Sequence, residues 1–199
     1  MKILLVGPPG SGKGTQSRIL SKKLELPCIA IGDVLRNYKG KYKSKIDEMI
    51  KNGSLAPPEM IYEIIKETLQ KKNFSKGFII EGFPRNLSQA EYFEKKSHFD
   101  RVIQIRVSDT KAIKRLKSRM ICKCGEVYNS ITNPPKIKNK CDKCGKTLIE
   151  RSDDSQELIK KRLRVYHTET EPMLKFYNPI VINGEKPVCD VTKDIINFI

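Results

Sequence analysis

The chain has 199 residues, of which 38% are hydrophobic, and a formal net charge of +16 from 39 Lys and Arg against 23 Asp and Glu. That length fits one domain with a sizeable core, and no apolar run reaches the roughly 18 residues that a membrane span needs. No signal-peptide pattern opens the sequence, so we expect a cytoplasmic protein whose six cysteines are metal ligands or buried thiols rather than disulfides. The positive charge favours polyanions, which leaves nucleic acid and small phosphorylated molecules open as ligands.

A glycine-rich turn between a strand and a helix is the first motif of the chain. Residues 3–6 are an apolar run typical of a buried parallel strand, and residues 15–26 carry apolar side chains at helical spacing. The backbone N–H groups of the turn, residues 7–15, and the N-terminus of the helix would converge on an anion. Lys13 would add a point charge at the outer phosphates of a nucleotide, and Thr15 is placed to reach Mg²⁺. The motif predicts a phosphate-binding loop (P-loop).

Strands and helices alternate along most of the chain. Further strands are predicted at residues 26–31, 77–81, 102–107 and 180–182, and further helices at 33–36, 41–51, 56–69, 86–96, 154–177 and 191–199. Asp33 is the expected N-cap of its helix, and Asn52-Gly53 is a helix stop signal. The alternation predicts a doubly wound parallel α/β sheet, in which ligands gather at the carboxyl ends of the strands. Glu81 and Arg85 lie at such an end, as does the glycine-rich turn.

Four cysteines appear between residues 121 and 148, where the hydrophobic periodicity fades. They form a C-x-C pair, Cys122 and Cys124, and a C-x-x-C pair, Cys141 and Cys144. So few apolar residues cannot build a core of their own, and four thiolates on glycine-supported turns favour structural zinc in a tetrahedral site. Free thiols or a disulfide are the alternatives. A closed four-cysteine site has no open coordination position, so we expect no catalytic role for the metal.

In combination, these motifs resemble the adenylate kinases of the zinc-lid type, a group of nucleoside monophosphate kinases. The placement of Gly14 directly after Lys13 is typical of those kinases rather than of GTPases. The other motifs follow in the family's order over the whole chain: residues 32–36, 82–85 with Gln89, the paired cysteines, and residues 151–154 and 161–163. The resemblance implies a P-loop NTPase fold with a five-stranded parallel sheet, formed by residues 1–199 as a single core. It also implies a nucleoside-monophosphate-binding flap at residues 31–59 and a zinc-ribbon-like lid at residues 120–153.

The same resemblance implies the reversible, Mg²⁺-dependent transfer of the γ-phosphoryl group of ATP to AMP, giving two ADP. Phosphoryl transfer needs positioning and charge neutralisation, and the implied catalytic cations are Lys13, Arg85, Arg119, Arg151 and Arg162. The implied ATP-binding residues are Gly10, Ser11, Gly12, Lys13, Gly14, Thr15, Arg119, Lys186 and Val188. The implied AMP-binding residues are Ile31, Arg36, Leu55, Gly82, Arg85, Gln89, Arg151 and Arg162. The implied metal contacts are Asp33 and Glu81 to Mg²⁺ through water, and Cys122, Cys124, Cys141 and Cys144 to Zn²⁺.

Other charged residues near these motifs are expected to have different roles. By resemblance, Asp153 and Asp154 would orient the arginines or tie the lid down. Arg115 is expected to be a solvated surface charge, as isolated arginines usually are.

Three positions depart from the family pattern. Ile31 stands where adenine-specific members have threonine, so either the acceptor base is read less strictly, with GMP, CMP or UMP used beside AMP, or Ile31 only packs. Glu81 replaces an aspartate and has one more methylene of reach toward Mg²⁺. Cys122 and Cys124 are separated by one residue rather than two, which makes this half of the zinc site tighter than in the family.

The alternatives to an adenylate kinase are therefore a UMP/CMP or broad-specificity nucleoside monophosphate kinase and, remotely, a nucleic-acid-binding zinc-ribbon protein. The expected partners are ATP, AMP, ADP and other nucleoside monophosphates, with no specific nucleic acid and no membrane. The family default is a monomer, which leaves a homo-oligomer open.

Overall fold

A five-stranded parallel sheet forms the centre of the molecule in a computed structural model that describes residues 1–70, 74–151 and 153–199. The strands in chain order are β1 (Lys2–Val6), β2 (Cys28–Ala30), β3 (Phe78–Glu81), β4 (Arg101–Arg106), β5 (Arg119–Ile121), β6 (Val127–Asn129) and β7 (Ile180–Asn183). The large sheet has the order β2-β3-β1-β4-β7, and each neighbouring pair in it is parallel. This confirms the predicted doubly wound sheet and brings the ends of β1, β2 and β3 side by side.

Helices cover both faces of this sheet. They are α1 (Lys13–Leu24), α2 (Ile31–Arg36), α3 (Lys43–Asn52), α4 (Pro58–Gln70), α5 (Leu87–Glu94), α6 (Asp109–Lys117), α7 (Gln156–Val165), α8 (Glu171–Tyr177) and α9 (Val188–Ile196), with a π-helical turn, Tyr166–Thr170, between α7 and α8. Leu4 of β1 packs with α4, α5 and α8, whereas its neighbours Ile3 and Leu5 pack with α1 and α9 on the opposite face. Burial on both faces explains why the strands are continuous apolar runs. No helix in the described ranges has the length and apolar composition to cross a bilayer.

Four local features differ from the sequence predictions. The expected N-cap at Asp33 is wrong, because β2 runs directly into α2 and Ala30, in an extended conformation, holds the cap position. Helix α6 was not predicted, since its few apolar positions lie between a strand and the cysteine-rich segment. The helix predicted over 154–177 is divided by the π-helical turn. Helix α9 begins at Val188, three residues before the predicted start, with Pro187 at its N-cap. The stop at Gly53 is confirmed, because this residue caps α3 in the left-handed conformation.

The cysteine-rich segment forms a small unit at one side of the sheet. Strands β5 and β6 make an antiparallel hairpin, and Ile121 also pairs with Ile149. The small core of the segment consists of Cys122, Tyr128, Cys141 and Leu148. Half of this core is cysteine, as expected of a unit that a metal holds together. Ser152, inside the predicted lid, lies outside the described residues.

Candidate active site

One cleft of about 1200 Å³ is lined by every residue predicted to bind a nucleotide or Mg²⁺. Its floor is the glycine-rich turn and the carboxyl ends of β1 and β3, which is where parallel sheets bind ligands. Residues 31–33, 35–37 and 53–56 line one part of the cleft, and residues of the β5–β6 hairpin line another part. The fold therefore gathers side chains that lie far apart in the sequence around a single space large enough for two nucleotides.

Steric constraints explain why glycine stands at several positions of the glycine-rich turn, of which Gly10 and Gly12 shape the start of α1. Gly10 has a φ of +83°, and a Cβ there would lie 2.7 Å from the carbonyl oxygen of Ala112 in α6. Gly12 caps α1 in the left-handed conformation, and its carbonyl accepts the N–H groups of Thr15 and Gln16. The N–H groups of Lys13 and Gly14 precede these bonds at the start of α1, so they are donors for an anion at the floor of the cleft.

Lys13 lies at the centre of this floor. Its Nζ donates hydrogen bonds to the carbonyl oxygens of Gly7 (2.6 Å) and Pro8 (2.9 Å). Burial lowers the pKa of Lys13 to about 8, with Glu81 opposing the shift and the neighbouring arginines of the cleft adding to it. A bound phosphate would replace the carbonyl partners with negative charge and favour the protonated lysine.

Asp154 pairs with two of the predicted catalytic arginines. It accepts hydrogen bonds from Nε and Nη2 of Arg119 at 2.7 and 2.6 Å, and from Nη1 of Arg162 at 2.9 Å. Its side chain is only 7% exposed. Burial lowers the pKa of Arg119 to about 10, with the nearby Arg151 adding to the shift and Asp154 opposing it. These contacts agree with the prediction that the aspartates orient the arginines.

Asp153 occupies a comparable position between the two sides of the cleft. It pairs with Arg151, lies 3.7 Å from Arg162, and lies 3.6 Å from Arg36 of α2. Burial opposes its ionisation, but the hydrogen bond from Arg151 and the surrounding positive charges hold the pKa of Asp153 well below its usual range. Four arginines and two aspartates thus leave an excess of positive charge that faces the cleft and suits polyphosphate.

Arg85 is held by hydrogen bonds at three points. Its N–H donates to Oε1 of Gln89 (2.8 Å), its Nε donates to the carbonyl oxygen of Gly82 (2.7 Å), and its own carbonyl accepts from Oγ1 of Thr170 (2.6 Å). Gln89 is buried and also donates to the carbonyl oxygen of Ala56 at 2.7 Å. An amide side chain has two further hydrogen-bonding capacities, so Gln89 retains one lone pair and one N–H for a ligand.

The part of the cleft around Ile31 is apolar. Ile31 is 1% exposed and lies at the start of α2. Its Cβ lies 3.9 Å from the position that a Cβ on Gly82 would take. Leu55 lines the same part of the cleft. These side chains offer contact area without a hydrogen bond.

Two carboxylates lie where Mg²⁺ is predicted. Glu81 pairs with Ala30 across β3 and β2, so its side chain and Asp33 stand at adjacent strand ends. Oε1 of Glu81 lies 3.7 Å from the Cβ position at Gly14, while Asp33 pairs with Arg36. Mg²⁺ prefers oxygen ligands and keeps several of its waters. The longer Glu81 therefore still reaches the start of α1, and this donor set fits a hydrated Mg²⁺.

The four cysteines converge in spite of the short C-x-C spacing. Their sulfur atoms all lie within 4.8 Å of one another, with Cys122 and Cys144 at 3.4 Å and Cys124 and Cys141 at 3.6 Å. A tetrahedral Zn²⁺ with Zn–S bonds of about 2.3 Å needs sulfur atoms roughly 3.8 Å apart. Hydrogen bonds from Tyr128 and from the backbone overcome the effect of burial and hold the pKa of Cys141 below its ordinary value. The cluster fits a zinc ion.

Two charged residues near the cleft, Arg115 and Lys186, have side chains that contact other parts of the protein. Arg115 is half-buried, and its Nη1 approaches the carbonyl oxygen of Ser11 at 3.5 Å, so the expectation of a solvated charge is wrong. Recognition of helix α6 in the sequence would have predicted this position, because the buried Ala112 and Leu116 of α6 place Arg115 against the glycine-rich turn. Lys186 directs its Nζ to Asp194 (2.7 Å), so its backbone is the part near the cleft.

A parallel sheet with a P-loop at its centre and a ring of arginines above it defines a nucleotide-binding phosphotransferase of the P-loop class. The family model for adenylate kinase matches residues 5–181. The chain belongs to the adenylate kinase family, and it is a nucleoside monophosphate kinase.

Relatives from distant organisms agree with this assignment over nearly their whole length. The adenylate kinase of Caldicellulosiruptor bescii is 39% identical, and the match covers 98% of this chain and 97% of the relative. The adenylate kinase of Thermosipho africanus is 38% identical over 100% and 99% of the two chains, and that of Rickettsia conorii is 41% identical over 98% and 97%. The alternatives of a UMP/CMP kinase and of a nucleic-acid-binding protein are not favoured.

Proposed function

We propose that the cleft transfers the γ-phosphoryl group of ATP to AMP, with ATP on the P-loop and AMP between α2 and the loop of Arg85. The observation that carries the proposal is the convergence of six cations around one space, contributed by α1, α2, the loop of residues 82–86, β5, the segment before α7, and α7. Phosphoryl transfer depends on positioning and on neutralising the charge of the transferred group. A cleft with cations on several sides supplies both.

On the donor side, the P-loop N–H groups and Lys13 would hold the outer phosphates of ATP, and Arg119 and Arg162 would face the transferred group. Their geometry is fixed in advance by Asp154, so little reorganisation is needed at the moment of transfer. Mg²⁺ bound with ATP would neutralise phosphate charge, and Asp33 and Glu81 are positioned to hold its waters. The backbone at Lys186 and Val188 would lie along the adenine of ATP.

On the acceptor side, Arg36 and Arg85 would hold the phosphate of AMP, and Arg151 would lie between the two nucleotides. The paired aspartates balance these cations in the ligand-free molecule, and a phosphate would take over part of that role. Gln89 would hydrogen-bond the adenine edge with its remaining capacities, and Ile31, Leu55 and the backbone at Gly82 would pack against the base.

We further propose that residues 31–59 act as a flap and residues 120–153 as a lid, with zinc shaping the lid. Closure over the nucleotides would exclude water, which otherwise competes as the phosphoryl acceptor. A cytoplasmic location and a monomeric state stay predictions from the sequence.

The test of the reaction is the initial rate of transfer from Mg·ATP to AMP. We expect transfer in the wild type and a loss of roughly 10²–10³-fold in kcat for Lys13→Met, as for removal of a charge-stabilising donor. The matched control is Lys193→Met, since Lys193 is an exposed lysine of α9 that does not line the cleft. A wild-type protein that transfers phosphate to no acceptor would refute the proposed function.

The acceptor base is tested with AMP, GMP, CMP and UMP side by side. Since Ile31 offers no hydroxyl to the base, we expect measurable transfer to acceptors other than AMP. Ile31→Thr should raise the preference for AMP by about tenfold, the typical value of one hydrogen bond. If the wild type is already strictly specific for AMP and the variant leaves the ratios unchanged, Ile31 only packs.

A further inference from the structure

The π-helical turn Tyr166–Thr170 sets the direction of side chains in the helical segment that carries Arg162. In a continuous α-helix a residue eight positions further on is rotated by about 80°, so residues 162 and 170 would point in different directions. A turn closed by hydrogen bonds from i to i+5 is wider and offsets this rotation. Arg162, Tyr166 and Thr170 all line the cleft as a result.

Thr170 uses this orientation to reach a distant loop. It is 6% exposed, and its Oγ1 donates to the carbonyl oxygen of Arg85 at 2.6 Å. In the other two hydrogen bonds Arg85 is the donor: its Nε donates to the carbonyl oxygen of Gly82 in the same loop, and its N–H donates to Oε1 of Gln89 in the first turn of α5, which directly follows the loop. Thr170 therefore joins the loop that carries Arg85 to the helical segment that carries Arg162.

We infer that Thr170 is a positioning residue for Arg85 in the phosphoryl transfer. The inference rests on the proposed function, in which Arg85 holds the phosphate of AMP. Loss of the hydroxyl leaves a partly buried carbonyl without this donor, and we expect the loop to shift toward another partner. The guanidinium of Arg85 would move with the loop, and small misplacements at the reacting groups lower the rate strongly.

The same turn offers a matched control. Thr168 is exposed, and its Oγ1 donates to the carbonyl oxygen of Arg164 within its own helix at 3.1 Å. Thr168→Val removes the same atoms as Thr170→Val and leaves the loop of Arg85 untouched. Thr170→Ser retains the hydroxyl and tests whether the hydrogen bond, rather than the volume of the side chain, is responsible.

The experiment measures kcat and KM for each substrate, together with the melting temperature. For Thr170→Val we expect kcat/KM for AMP to fall about tenfold, with KM for ATP changed by less than about twofold. Thr170→Ser should lie within about twofold of the wild type, and Thr168→Val should be indistinguishable from it. In an Arg85→Lys background, Thr170→Val should have little further effect, because both changes act through the same group.

Three outcomes would overturn the inference: a folded Thr170→Val with wild-type kinetics, an equal loss for AMP and ATP that Thr170→Ser does not restore, or full additivity with Arg85→Lys. If Thr170→Val melts below the assay temperature, Thr170→Ala assayed below its own melting temperature gives the same comparison. A wild-type protein without transfer to AMP would contradict the proposed function instead, so the two failures are distinguishable.

Discussion

Removing the charge of Asp154 should destabilise the ligand-free protein, because two arginines depend on this carboxylate. The side chains of Asp154, Arg119 and Arg162 are 7%, 17% and 21% exposed. Breaking a buried pair by removing one partner costs about 3–5 kcal/mol. Asparagine retains one acceptor oxygen, so we expect Asp154→Asn to lower the free energy of unfolding by about 3 kcal/mol. For a chain of this length that corresponds to a fall of roughly 6–12 °C in melting temperature.

The assay is thermal and urea unfolding of Asp154→Asn beside Asp190→Asn. Asp190 lies 3.7 Å from Lys193, and both side chains are well exposed, so this control should lose less than about 1 kcal/mol. Tripolyphosphate should restore more stability to Asp154→Asn than to the wild type, because its oxygens replace the missing counter-ion of the arginines. If Asp154→Asn were no less stable than the control, the carboxylate would not be balancing the two arginines.

Two further predictions concern zinc and pH. Cys144→Ser, or removal of zinc with a selective chelator in excess Mg²⁺, should abolish stoichiometric zinc binding and lower the melting temperature. Cys189 is an exposed cysteine outside the cluster, so Cys189→Ser should bind zinc and melt like the wild type. An unchanged melting temperature after zinc loss would contradict a structural metal. The pKa of Lys13 is about 8 in the folded protein against 10.5 ordinarily, so the unfolded chain binds more protons between these values and the contribution of Lys13 to the free energy of unfolding should rise with pH there. Because ATP favours the protonated lysine, the affinity of the protein for ATP, measured by calorimetry, should fall above pH 8. If the affinity does not fall, or if it falls equally in Lys13→Met, Lys13 is not the group that binds the phosphates.

The P-loop and the sheet were predictable because their signals are local. A strand, a glycine turn and a helix follow one another within residues 2–24, and each has its own pattern. The prediction that Asp33 caps α2 was wrong because aspartate is a favourable N-cap residue and was assigned to that position. In the structure β2 joins α2 directly, so Asp33 lies in the first turn of the helix.

The polar contacts of the site could not be predicted in the same way. Asp154 and Arg119 are 35 residues apart, and Gln89 and Ala56 are 33 apart. Nothing in the spacing of these residues shows that they pair, and only the packing of the helices brings them together. The π-helical turn is also invisible, since the apolar spacing of residues 154–177 is compatible with one continuous helix.

The close approach of Gly10 to Ala112 has a mechanical consequence for the motion proposed for residues 120–153. The backbones of the P-loop and α6 touch without an intervening side chain, and Leu116 of α6 packs with Ile159 and Leu163 of α7. The loop and the two helices therefore pack together as one body, and we expect them to stay in place when the cysteine-rich segment moves. The pivots of the proposed motion would then lie beyond the ends of α6 and α7, near residues 118 and 155, and the segment would swing as a short arm while the donor phosphates stay anchored.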